Sequence, residues 1–157
     1  MSRITPKKPS ILRDRVFIPG VEIFADGRCY VKTQAGDEFD RRITPDEVES
    51  LLHYFQEQGL FSLSDPKISE IIEKYVSTPT IVDLPGGGQT VTYPGRHFFH
   101  DGIRDSISVR TEALSFAVRG RPLLYELEAY PSIAELRTLH ECIKRVYDAA
   151  GVGESYR

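Results

Sequence analysis

The stretch from Val21 to Phe61 constrains this chain more than any other, because turn, cap and stripe signals there agree on a β-hairpin followed by a helix. A two-residue loop at Asp26-Gly27 would set Ile23 opposite Tyr30 and Val21 opposite Lys32, mixing apolar and charged groups on one face. A three-residue loop of Ala25, Asp26 and Gly27 sets Ile23 opposite Cys29 and Val21 opposite Val31, which makes one face wholly apolar. Gly27 then has to take a positive φ, and the requirement is structural.

After a polar loop, Gln34 to Asp37, a third strand is expected to end at Ile43. Thr44-Pro45-Asp46-Glu47 supplies an N-cap, a proline at the first helical position and a capping-box glutamate. Val48, Leu51, Leu52 and Phe55 follow at i, i+3, i+4 and i+7, and Gly59 sits where a C-terminal glycine cap belongs. Leu60, Phe61 and Leu63 are expected to run on into the core. The run Ile23-Phe24-Ala25-Asp26-Gly27-Arg28, then Thr44-Pro45-Asp46-Glu47-Val48, then Gly59-Leu60-Phe61, resembles a pattern that recurs in small bacterial α+β domains of unknown function, some of them attached to lipid-anchored proteins. The resemblance implies a bacterial α+β domain and carries no activity with it.

Composition narrows the function classes. With 23 acidic against 20 basic side chains the chain has a formal net charge of −3, so a general nucleic-acid role is not expected. No apolar run reaches membrane-spanning length, and no membrane association is expected. Met1-Ser2-Arg3 opens no apolar signal segment, which leads to a cytoplasmic expectation. Cys29 and Cys142 each fall on an apolar stripe and are read as reduced core thiols.

Further along, Asp65-Pro66 begins a second helix with Ile68, Ile71, Ile72 and Tyr75 at helical spacing, ended by Thr78-Pro79. Ile81 to Leu84 and Gln89 to Tyr93 read as short strands joined through Pro85-Gly86-Gly87-Gly88. Ile107 and Val109 alternate with Leu114, Phe116 and Val118 as a hairpin pairing Val109 with Phe116. Leu123 to Ala129 suits either a strand or the approach to a helix. Ser132 with Glu135 makes a second capping box ahead of the longest stripe, Ile133, Leu136, Leu139, Ile143 and Val146, which ends near Gly151. The expected architecture is one α+β domain over residues 11–152, an antiparallel sheet of five to seven strands with helices at Pro45 to Gln58 and Ser132 to Ala150 on one face. Residues 1–10 and 153–157 are expected to be flexible tails.

Three groups of residues bear on chemistry. The triple glycine lacks the Gly-Lys-Ser/Thr and following helix of a phosphate loop, so it reads as a hairpin tip. Arg96, His97, Phe98, Phe99, His100, Asp101 and Arg104 crowd one segment between Gly95 and Asp105 and are the binding candidates. Two imidazoles and a carboxylate, His97, His100 and Asp101, are the metal or acid-base candidates within it. Flanking glycines favour a loop there, with Phe98 and Phe99 as anchors. Finally, Arg13, Arg15, Arg41, Arg42, Arg110, Arg119 and Arg121 would hold a carboxylate or phosphate if they converged, but Glu112, Glu126 and Glu128 flank some of them, favouring a mixed solvated face. No Ser-His-Asp spacing, CxxC, HExxH or nucleophile elbow is present. The resulting expectation is a non-enzymatic domain of accessory or immunity type that binds a partner protein or a small ligand and uses no cofactor, its oligomeric state left open. The alternative is a small hydrolase or metal-dependent enzyme built on His97, His100 and Asp101.

Overall fold

Alternating apolar and polar side chains make the strands of this protein two-faced, and the buried face decides how everything else packs. The computed structural model describes residues 15–33, 35–97 and 102–153. Strands β1 (Arg15–Ile18), β2 (Val21–Phe24), β3 (Arg28–Lys32), β4 (Glu38–Arg42), β7 (Asp105–Arg110) and β8 (Ser115–Arg121) form one antiparallel sheet in the order β4-β3-β2-β1-β7-β8. Between them in sequence, β5 (Thr80–Asp83) and β6 (Gln89–Thr92) pair, among the described residues, only with each other. Helices α1 (Pro45–Glu57), α2 (Asp65–Ser77), α3 (Leu123–Ala129) and α4 (Ala134–Ala149) complete the described elements, with a short 3-10 turn at Leu60–Ser62. The fold is α+β, an antiparallel sheet with helices against it.

The first hairpin has the register that the side chains require: Ile23 faces Cys29 and Val21 faces Val31. Gly27 sits at φ +94° and donates its N–H to Phe24 O at 2.9 Å, closing the three-residue loop. Thr44 caps α1 by accepting from Glu47 N–H at 3.1 Å, and its hydroxyl donates to Glu47 Oε1 at 3.3 Å, so the Thr44–Glu47 pair is joined through both side chain and backbone. Val48, Leu51 and Phe55 are buried and Leu52 is half-buried. Leu60 and Leu63 enter the core as expected, while half-buried Phe61 sets its ring edge-on to Phe55 and Phe116.

The second hairpin pairs Val109 with Phe116, and the 123–129 segment resolves as helix. Both cysteines are buried free thiols, and burial pushes Cys142 up to about 12. One expectation fails. Ser132 does not cap α4; the N-cap is Ile133, with no side-chain cap bond. Ile133 N–H instead bonds back to Tyr130 O at 3.2 Å while its side chain is buried, so apolar insertion sets the start of the helix and leaves Ser132 exposed. α2 has a cap that sequence reading passed over, Ser64, which accepts from Lys67 N–H at 3.1 Å. Of the expected tails, residues 1–10 and 154–157 lie outside the described residues.

The inner face carries Val16, Ile18, Val21, Ile23, Cys29, Val31, Ile107, Val109, Phe116 and Val118, and these join the α1, α2 and α4 stripes in one core. The opposite face holds Phe17 and Tyr30, 37% and 38% exposed, and among the described residues no second layer covers them.

Candidate functional site

The segment singled out by its histidines is divided among separate anchors. Arg96 pairs with Glu73 on α2. His97 N–H donates to Tyr130 Oη at 3.0 Å, and its ring stands edge-on to Tyr130 with centroids 5.8 Å apart. Tyr130 is buried and meets Tyr75 of α2 in turn, so this junction packs the segment onto the body. Arg104 lies elsewhere, donating to Gly120 O on β8 at 3.4 Å. Phe98, Phe99, His100 and Asp101 lie outside the described residues. Among the described residues no group of three or more His, Cys, Asp or Glu side chains is placed to hold a metal.

Arg13 lies outside the described residues; the other grouped arginines fall in three places. Arg121 forms a two-pronged pair with Glu126, at 3.0 and 2.6 Å, and reaches Asp65 at 3.4 Å. Arg121 and Glu126 are nearly buried, and Asp65 also accepts from Arg119 N–H at 3.1 Å, so this cluster ties β8, α2 and α3 together. Burial works against the Arg121 charge, but the two carboxylates more than offset it and raise its pKa. Arg41 opposes Cys29, lies over the Phe39 ring at 5.6 Å, and fills the space beside Gly151.

Arg15, Arg42 and Arg110, together with Arg28, lie in one row on the outer face, with Arg28 and Arg42 at one end and Arg15 and Arg110 at the other. Cross-strand partners point to the same side of a sheet. Arg28 pairs with Arg42, Arg15 with Phe24 and with Arg110, and Arg110 with Ser115. Phe24 and Arg28 flank the hairpin loop, with the Arg28 guanidinium 4.9 Å from the Phe24 ring centroid. One row therefore reads Arg42, Arg28, Phe24, Arg15, Arg110 across five strands, a span of about 19 Å at the usual strand spacing. The next row reads Asp40, Tyr30, Glu22, Phe17.

Two of these arginines have local acids: Arg15 pairs with Glu22, and Arg28 with Asp26 at 2.9 Å. For Asp26, slight burial acts to raise the pKa, but hydrogen bonds and charge from Arg28, together with the charge of Arg42, carry it below the ordinary value. Among the described residues, neither Arg42 nor Arg110 belongs to an ion pair. Two like-charge pairs directly opposite in one row are unfavourable for the sheet itself. At the β2–β3–β4 end the row borders a cleft of about 570 Å³, lined by Glu22, Phe24, Arg28, Tyr30, Asp40 and Arg42. A hydrogen bond to Glu38 pushes the Tyr30 phenol above its ordinary pKa.

A second surface is the β5–β6 hairpin. Ile81 faces Val91, and every residue of β5 is exposed. Ile81, Val82, Leu84, Val91 and Tyr93 are between 42% and 64% exposed, half of the exposed large apolar side chains among the described residues. Gly86, Gly87 and Gly88 all take positive φ at its tip, with nothing near a Cβ at any of them, which matches a hairpin tip rather than a phosphate loop.

Comparison with models of protein families, with curated proteins and with solved structures finds no match for this chain. Among the described residues no helix is long and apolar enough to cross a membrane.

Proposed function

We propose that this chain is a binding domain that engages a partner protein through the β5–β6 hairpin, acting as an accessory or immunity-type protein by occupying its partner. The observation that carries this is the hairpin's surface. A two-stranded hairpin in water is marginal alone, and this one presents five large apolar side chains to solvent. The contrast with β4 sharpens it: that edge strand carries four charged residues out of five, the usual protection against stray pairing. From Thr80 to Thr92 the single ionisable side chain is Asp83. The β6 edge, Gln89–Thr92, carries no charge, which suits a partner that adds its own strand alongside and covers Ile81 and Val91 with apolar side chains.

A photo-crosslinking residue at Val91, with Lys144 on the exposed side of α4 as the control position, tests this in cells producing the protein. A discrete crosslinked partner from position 91 alone, lost when Ile81→Asp is added, is the expected result. Identical products from both positions would remove the hairpin from the reading.

A further inference from the structure

We propose that the cleft on the outer face of β2, β3 and β4 binds a nucleoside phosphate, either free or as a residue of a single strand. This surface is separate from the hairpin, and the proposal stands or falls independently of the partner-protein reading. Four observations converge on it. Arg28 and Arg42 stand directly opposite one another at the cleft, a like-charge pair that weakens the sheet and that an anion there would relieve. Arg42 stands at the cleft with no ion-pair partner among the described residues. Its guanidinium is permanently charged and shaped for two-pronged contact with phosphate. Tyr30, 38% exposed, offers a ring face beside Phe24 on the same wall, and base–aromatic stacking is tolerant of base identity.

The carboxylates decide which anion fits. Asp40 and Glu22 line the same cleft, so a polycarboxylate or an acidic peptide lying along it would meet repulsion. A nucleoside phosphate keeps its charge at one end and carries hydroxyl and amine donors at the other, which lets Arg28 and Arg42 take the phosphate while Asp40 accepts from the sugar or base. The volume, about 570 Å³, lies within the range of small-ligand sites.

Isothermal titration of the full chain with ADP, GDP, UDP, adenosine, inorganic pyrophosphate and a single-stranded octa-adenylate RNA tests the proposal. At least one nucleotide is expected to bind, with adenosine and pyrophosphate each at least about tenfold weaker, since each lacks one half of the contacts. Arg42→Gln and Tyr30→Ala should each weaken nucleotide binding about tenfold, and Lys144→Gln should not change it. An octamer that binds more tightly than nucleotide and is displaced by it assigns the source to a strand; an octamer no tighter than nucleotide assigns it to the free molecule. Because Arg42→Gln removes a like-charge pair, the melting temperature of the free variant should hold or rise, which separates lost binding from lost folding. Pyrophosphate binding as well as ADP, nucleotide binding that survives both substitutions, a lower melting temperature for Arg42→Gln, or no binding of any nucleotide or of the octamer overturns the proposal.

Discussion

Gly27→Ala should be among the most damaging single-atom additions to this protein, and the structure supplies its own control. Gly27 and Gly36 have the same φ, +94°, so the conformational strain of an alanine is common to both. That strain is about 1 kcal/mol. At Gly36 nothing lies within 4 Å of a Cβ, and the cost should stop there. At Gly27 the Cβ would stand 1.9 Å from Ile43 O and 3.0 Å from Ile43 C. Relief requires the link between β4 and α1 to retreat by more than an ångström, which breaks the 2.8 Å bond from Ile43 N–H to Gly27 O. Losing that bond beside a buried turn adds roughly 1–3 kcal/mol. The total is about 3 kcal/mol, or a fall in melting temperature of roughly 10 °C for a chain of this size. Urea denaturation of the two variants beside the parent measures the difference directly. If Gly27→Ala costs no more than Gly36→Ala, the backbone contact is not as tight as described and the argument fails.

Other perturbations separate the remaining claims. Thr44→Ala should cost about 1 kcal/mol through its lost cap, whereas Ser132→Ala should cost nearly nothing, and equal effects in denaturant melts would contradict the two helix starts. Glu126→Ala leaves the nearly buried Arg121 guanidinium with Asp65 alone and should destabilise by about 3 kcal/mol; a loss below 1 kcal/mol would show that the pair is solvated. Cys142, held near 12 when folded, ionises near the ordinary thiol value of 9.0 when unfolded, so the native state binds the extra proton between those values. Stability should therefore be intact below pH 9 and fall above it with a slope of at most about 1.4 kcal/mol per pH unit, and Cys142→Ala should flatten the curve.

Local geometry was legible in the sequence wherever one residue type answers one backbone need. Gly27 and Thr44 were readable because a positive φ and an unsatisfied N–H each have a short list of solutions. Ser132 misled because the motif Ser-x-x-Glu was complete, yet burying Ile133 outweighed one hydroxyl bond. The 123–129 segment was ambiguous from periodicity, since Glu126 sits among its buried residues and only the distant Arg121–Asp65 cluster makes an acid acceptable there. The candidate cleft was hidden for a different reason. Arg28 had no place among the grouped arginines, and seeing it beside Arg42, Arg15 and Arg110 requires the sheet order that sets β1 next to β7. Pattern within a strand says which side a residue faces, but not which residue stands beside it.

The placement of β1 also determines how the molecule can be taken apart. Val16 stands opposite Ile23 of β2 on one edge and, on the other, opposite Val109 roughly ninety residues later. Everything in the six-stranded sheet before that seam is a meander of local turns, and everything after it is one hairpin with its following helices. The chain passes from one group to the other through the β5–β6 excursion, whose glycine tip supports no packing. A backbone cut between Gly87 and Gly88 would therefore yield two pieces whose broken ends lie away from the core and which meet along the β1–β7 and β5–β6 ladders and through the shared core. Co-expressed as separate polypeptides, they form a natural reporter pair, each half supplying one strand of both ladders.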